Sequence, residues 1–223
     1  MVTKKYNNPK KHSRVKQHTR YELKSGTYVP GITTIVGQMN KPALVGWANK
    51  LGLEGINAGK YVDELADIGT IAHNYIEAKL KGKEFDSSEF SAKQIECAKV
   101  CINKFNNWYN EATMETILCE QPLVSEKYGY GGTLDWYGKI KGKKTLLDWK
   151  TGSGFYEEHK MQLSGNKQLL EEHGHVVEQQ ILIGIGRAEW ESTHIERVDG
   201  MAMRFKKVLN LLEIYNINKS LKV

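Results

Sequence analysis

Residues 131–151 read GGTLDWYGKIKGKKTLLDWKT, and their alternation constrains everything around them. Two strand-like runs flank Ile140-Lys141-Gly142-Lys143, a link short enough for a tight hairpin. Successive side chains of a strand point to opposite faces. Asp148 and Lys150 are two apart and so share a face, with Leu147 and Trp149 on the other. By the same rule Asp135 faces away from Leu134 and Trp136. If Lys141-Gly142 is the whole loop, Ile140 pairs with Lys143 and Asp135 falls directly opposite Asp148. A three-residue loop would throw the two acids onto opposite faces.

Opposed like charges destabilise a sheet, and Asp and Lys are poor strand formers. Two acids and a lysine set between Leu and Trp therefore ask for a cation. Hard divalent ions such as Mg²⁺ take carboxylate, carbonyl and water oxygens. They polarise phosphoryl oxygens and lower the pKa of a bound water. Lys150 is suited to position that water, to act as its base if its pKa is depressed, or to stabilise a pentavalent phosphate. Trp136 and Trp149 face away from the acids and read as core.

Working outward, Tyr21 begins a short strand, Ser25-Gly26 a turn, and Val29-Pro30-Gly31 leads into the apolar run Ile32–Val36. Helices are predicted over Pro42–Leu51, 61–81 and 88–112, the second ending at Gly82. Strands are predicted over Thr116–Ser125, Tyr128–Ile140, Thr145–Thr151 and Val176–Arg187. Lys160–His173 and Met201–Asn216 return to helical spacing. This order gives an α/β domain with a mixed sheet flanked by helices. Gly184-x-Gly186 lacks the third glycine and the helix of a dinucleotide loop. Cys97 and Cys101, four apart on a helix, are expected to be buried thiols.

The chain has 223 residues and a net charge of +6, unevenly spread. Residues 1–24 carry eight cations against Glu22 alone, leaving the rest at −1. A near-neutral body, 25–223, with a basic N-terminal arm, 1–24, points to a polyanionic partner. No apolar run is long enough to span a membrane, and the N-terminus lacks a secretory h-region. Three cysteines are too few for a disulfide framework or a four-cysteine iron–sulfur cluster. The expected location is the cytoplasm of a bacterium or a phage-infected cell, with mitochondrial import less favoured because the arm lacks an apolar helical face.

Gly132-x-x-Asp135, thirteen residues on, Asp148-x-Lys150-Thr151, resembles the active-site hairpin of the PD-(D/E)XK nucleases. It is similar in particular to their RecB-like exonuclease branch, which includes phage exonucleases and the mitochondrial genome maintenance exonuclease. The branch's Gly-x-x-x-His-x-x-x-Glu helix is matched by Gly69, His73 and Glu77, and its Gln-Leu by Gln162-Leu163. Val29–Ile35, Leu44 and Trp47 resemble its N-terminal region. The matches run in order from about residue 28 to 170, departing at Gly31 and Asn166, where Ser and Tyr are usual.

The resemblance implies a restriction-endonuclease-like fold and a Mg²⁺-dependent deoxyribonuclease, with Mn²⁺ as a substitute and no iron–sulfur cluster. An exonuclease acting on DNA ends with single-stranded character, in recombination, repair or replication, is expected. A structure-specific endonuclease and an inactive DNA-binding module are the alternatives. Asp135, Asp148, the Trp149 carbonyl and His73 are implied as metal ligands, and Lys150, Glu77 and Gln162 as further catalytic residues. Thr151, Gln162 and Trp47 are implied on DNA.

Overall fold

The computed structural model describes residues 19–152 and 154–221. Most of the expected basic arm, residues 1–18, lies outside the described residues. Strands β1 (Tyr21–Glu22) and β2 (Tyr28–Val29) form a small antiparallel ribbon. Helices α1 (Ile32–Val36), α2 (Pro42–Leu53), α3 (Ala58–Leu80) and α4 (Ala92–Glu111) follow. Then come β3 (Met114–Ser125), β4 (Tyr130–Ile140), β5 (Lys143–Lys150), α5 (Glu157–Glu172), β6 (Gln179–Gly184), β7 (His194–Arg197) and α6 (Met201–Ser220).

The main sheet has the order β3-β4-β5-β6-β7. Only its β5–β6 pair is parallel, and α5 makes that crossover. The expected α/β architecture, a mixed sheet flanked by helices, is therefore present. One face packs on α3 and α4 through Ala72, Ile76, Cys101, Phe105, Trp136, Leu147 and Trp149. The other packs on α5, α1 and α6 through Leu134, Tyr137, Leu146, Leu163 and Leu182, with Ile32, Tyr130 and Val208 alongside. Trp149 meets Phe105 edge-on at 5.6 Å between ring centroids. Each such fully buried side chain contributes roughly 1.5–3 kcal/mol.

Local chemistry sets the helix ends that matter. Ser91 and Gln94 cap α4 reciprocally, each side chain bonding the other's backbone. Gly82, at φ 63, takes the chain out of α3 in a conformation L-residues avoid. Two expectations change. The run Val176–Arg187 is a strand only over Gln179–Gly184, and its last residue is a glycine because the ring of His194 on β7 occupies the space a side chain there would need. Of the two thiols expected to be buried, Cys101 is, but Cys97 is exposed, since the sheet-facing stripe of α4 runs through Ala98, Cys101 and Phe105.

Candidate active site

The β4–β5 turn is the two-residue form: Ile140 pairs with Lys143, and Lys141 and Gly142 have φ of 49 and 79. Two successive positive φ values suit the right-handed twist of the strands they join. The ladder ends at Trp136↔Leu147, one residue short of the two acids, and Asp135 stays close enough to Asp148 to raise its pKa. On its other side β4 pairs Trp136 with Cys119 and Leu134 with Gln121, which sets Glu120 beside Asp135. Three carboxylates thus form a row across three adjacent strands.

The strands are irregular at this row. Glu120 adopts φ 49, rare for a non-glycine residue in a strand. Leu134 packs toward α5 while Trp136 packs toward α3 and α4. Strict alternation, which would set Leu134 and Trp136 on one face, is therefore broken across Asp135. The Asp135 carboxylate is 8 % exposed, and its Oδ2 accepts the Trp149 backbone N–H at 3.2 Å.

Asp148 is 1 % exposed. The Lys150 ammonium pairs with Oδ2 at 2.6 Å, which leaves Oδ1 as the oxygen without a partner. Burial holds the Asp148 carboxyl above the usual carboxylate range; Asp135 pushes the same way, and Lys150 and His73 oppose it. Burial pulls the Lys150 ammonium down, but Asp148 and Asp135 outweigh it, and the net direction is up. Lys150 also donates to Gln162 Oε1 at 3.3 Å, which ties it to α5. Three residues before Gln162, in the first turn of that helix, His159 accepts the Tyr156 backbone N–H through Nδ1. Burial and then the Lys150 charge push His159 down to about 4.

From the other face, α3 brings His73. Its Nδ1 is 3.8 Å from Asp135 Oδ2 and 4.0 Å from Glu120 Oε1, and has no hydrogen-bond partner. One ligand atom from each of His73, Glu120 and Asp135 lies within 4.8 Å of the others. Gly69 lets α3 approach this closely: a Cβ there would stand 2.9 Å from Thr151 Oγ1. Glu77, expected to support His73, instead accepts from Lys81 at 2.7 Å on the exposed side of the helix. The structure brings Glu120 to His73. Counting back from the Ser125–Tyr130 pair at the β3–β4 turn would have put Glu120 across from Asp135, but alternation along β3 alone does not mark it.

Trp149 has its ring buried and lies between Asp148 and Lys150, where its carbonyl is the expected fourth donor. Trp47 is farther off, in a groove of about 1070 Å³ that Tyr61, Leu65, Tyr156, Arg187 and Trp190 also line. Its ring contacts that of Tyr61 at 6.1 Å.

No family model and no curated protein sequence matches the chain. Among solved structures it is similar to an exonuclease candidate from Eubacterium rectale, at 14% identity and a TM-score of 0.49, covering 70% of this chain and 66% of that one. It is also similar to an alkaline exonuclease from Laribacter hongkongensis in complex with dAMP, at 10% identity and a TM-score of 0.43. That match covers 71% of this chain and 86% of the other.

Proposed function

We propose that this protein is a divalent-cation-dependent deoxyribonuclease that hydrolyses phosphodiester bonds from DNA ends, with Mg²⁺ as its resident ion and Mn²⁺ as a substitute. The observation that carries this reading is Asp148: a buried carboxylate whose Oδ1 has no partner, in one hairpin with Asp135 and Lys150. A buried carboxylate with one oxygen unsatisfied is costly, and a second acid close to it makes it more so. A hard cation relieves both. The donor set fits one: carboxylates from Asp135 and Asp148, the Trp149 carbonyl and the His73 imidazole would hold it. When bound, such an ion withdraws charge from a phosphoryl oxygen and lowers the pKa of water.

The protein's own groups do the rest. Lys150, which shares a face with Asp148, presents its positive charge to the phosphate. Gln162 restrains that ammonium from α5, and Thr151 follows it where the chain leaves the sheet. The groove beyond has a wall of Trp47 and Tyr61, faces on which unpaired bases stack. Across it Lys41 is bonded to Glu158 at 2.7 Å, which neutralises a cation that would otherwise favour phosphate. An apolar groove of this kind supports a single-stranded end as substrate.

The test uses end-labelled linear single-stranded DNA and closed single-stranded circles at equal nucleotide concentration, with Mg²⁺, Mn²⁺ or EDTA. Linear DNA is expected to shorten to oligonucleotides in either metal, with circles intact and no reaction in EDTA. Asp148→Ala and Lys150→Ala should each abolish cleavage with native circular dichroism. Equal loss of the circle would refute end dependence, and metal-dependent cleavage by either variant would refute the site.

A further inference from the structure

The groove that Trp47 and Tyr61 line has a second wall, made by the loop 185–191 that leaves β6. We propose that this loop, pinned from behind by Lys104, grips the single strand from its side of the groove, with Trp190 against a base and Arg187 on a phosphate. This rests on the single-stranded substrate proposed above and names further residues that bind it.

The path of the loop is fixed by α4. Lys104 donates to the Gly186 carbonyl at 3.3 Å and also to the carbonyls of Ala188 and Glu191. One turn earlier on the helix, the Cys101 thiol donates to the carbonyls of Ile185 and Gly186 at 3.7 and 3.6 Å. The loop also closes on itself, because Glu191 Oε2 accepts the Ala188 N–H at 3.0 Å. Lys104 thus holds backbone by charge-assisted bonds, while the side chains of Arg187 and Trp190 line the groove.

What lines the groove decides its occupant. Trp190 is 89 % exposed, an unusual place for so large a ring. It lines both the groove and a smaller cavity of about 360 Å³ shared with Gly152, two residues beyond Lys150, so it links the groove to the end of β5. The Nε of Arg187 is buried and has no hydrogen bond. The other charged groups of the groove are engaged: Lys41 with Glu158, and Glu191 with the Ala188 N–H. Arg187 is therefore the cation left to take an anion, and its planar guanidinium matches the oxygens of a phosphate. Aromatic faces beside a cation suit a strand whose bases are unpaired.

The Gly184-x-Gly186 pair now has a use unrelated to dinucleotides. Gly184 leaves room for the ring of His194, and a Cβ on Gly186 would stand 2.3 Å from the Glu191 Cβ, so the loop closes only around glycine.

The experiment is binding of a labelled oligothymidine to the full-length protein in EDTA, read by fluorescence anisotropy, with Mg²⁺-dependent cleavage measured alongside. Trp190→Ala, a change at an exposed side chain, should weaken binding about tenfold. On an abasic strand of the same length it should bind as wild type does. Arg187→Gln should weaken binding to both strands and flatten the slope of log affinity against log salt by about 0.7. In cleavage both variants should raise KM more than they lower kcat. Lys104→Met should lose at least as much affinity as Trp190→Ala, and Lys104→Arg should recover most of it. Adding Trp190→Ala to Lys104→Met should cost nothing more, because the lysine acts through the loop. Additive losses would overturn the role of Lys104, and an equal loss on the abasic strand would overturn stacking. Wild-type binding by Trp190→Ala and Arg187→Gln, with a wild type that cleaves, would overturn the loop's role and leave the nuclease reading intact. A wild type that binds through these residues without cleaving would sink the nuclease reading alone, and one that does neither would sink both.

Discussion

Asp135 lies close to both Glu120 and Asp148, so removing its charge relieves two repulsions at once. Asp135→Asn keeps an oxygen to accept the Trp149 N–H. In EDTA it is expected to be more stable than wild type by about 1 kcal/mol, measured by thermal unfolding. Added Mg²⁺ should narrow or reverse the gap, because it binds the native wild type. A variant less stable in EDTA would mean the carboxylates do not repel. His159 gives a pH test. Its folded pKa, about 4, lies below the free value of 6.5, so the unfolded chain takes the extra proton between those limits. Its contribution is therefore complete above pH 6.5 and is lost as the pH falls toward 4. His159→Gln, which keeps an acceptor for the Tyr156 N–H, should lose less stability than wild type between pH 7 and 4.5 in urea titrations. Asp148, whose folded pKa is raised, acts in the opposite sense and is common to both proteins. At this scale the sequence was legible where chemistry repeats with period two: Asp148 and Lys150 share a face as alternation requires. Glu120 was not, because its role depends on a left-handed residue and on a partner strand.

The β4–β5 turn holds the two acids in register, and its first residue is a lysine where the left-handed conformation favours Asn. Lys141→Asn is expected to stabilise the protein by about 1 kcal/mol without changing cleavage, measured by urea midpoint and by the DNA assay. A loss of cleavage would show that the turn does more than set register. Long elements were readable because their signals are redundant. In α3 a repeating apolar stripe and Gly82 agree, and in α4 a stripe agrees with the Ser91–Gln94 cap. Strand β7 escaped notice for the opposite reason. Four residues, His194–Arg197, carry too short a pattern, and their extended form depends on pairing with β6. The continuous apolar and β-branched character of 176–187 likewise hid the strand's end at Gly184. The kink that separates Leu134 from Trp136 is of the same kind, a tertiary demand that no single-strand periodicity contains.

At the scale of the molecule, the candidate site lies on a near-neutral body, and all of the excess positive charge is in the first 24 residues. Deleting residues 2–17 removes six cations: Lys4, Lys5, Lys10, Lys11, Arg14 and Lys16. If these contact phosphates, the slope of log affinity against log salt should flatten by several units, about 0.7 per contact on a single strand. Fluorescence anisotropy with a labelled oligonucleotide would measure it, and an unchanged slope would make the arm a bystander. Among the described residues no helix is long and apolar enough to cross a membrane. The hairpin has one more consequence. Its exposed tip, Lys141-Gly142, falls in the middle of the acid row's chain order. His73, Glu120 and Asp135 precede it, while Asp148, Lys150 and Gln162 follow. A single cut at that tip would yield two fragments, each with half of the charged set and neither able to assemble the row alone. Any activity would then be a property of their reunion, with strand pairing between β4 and β5 as the switch.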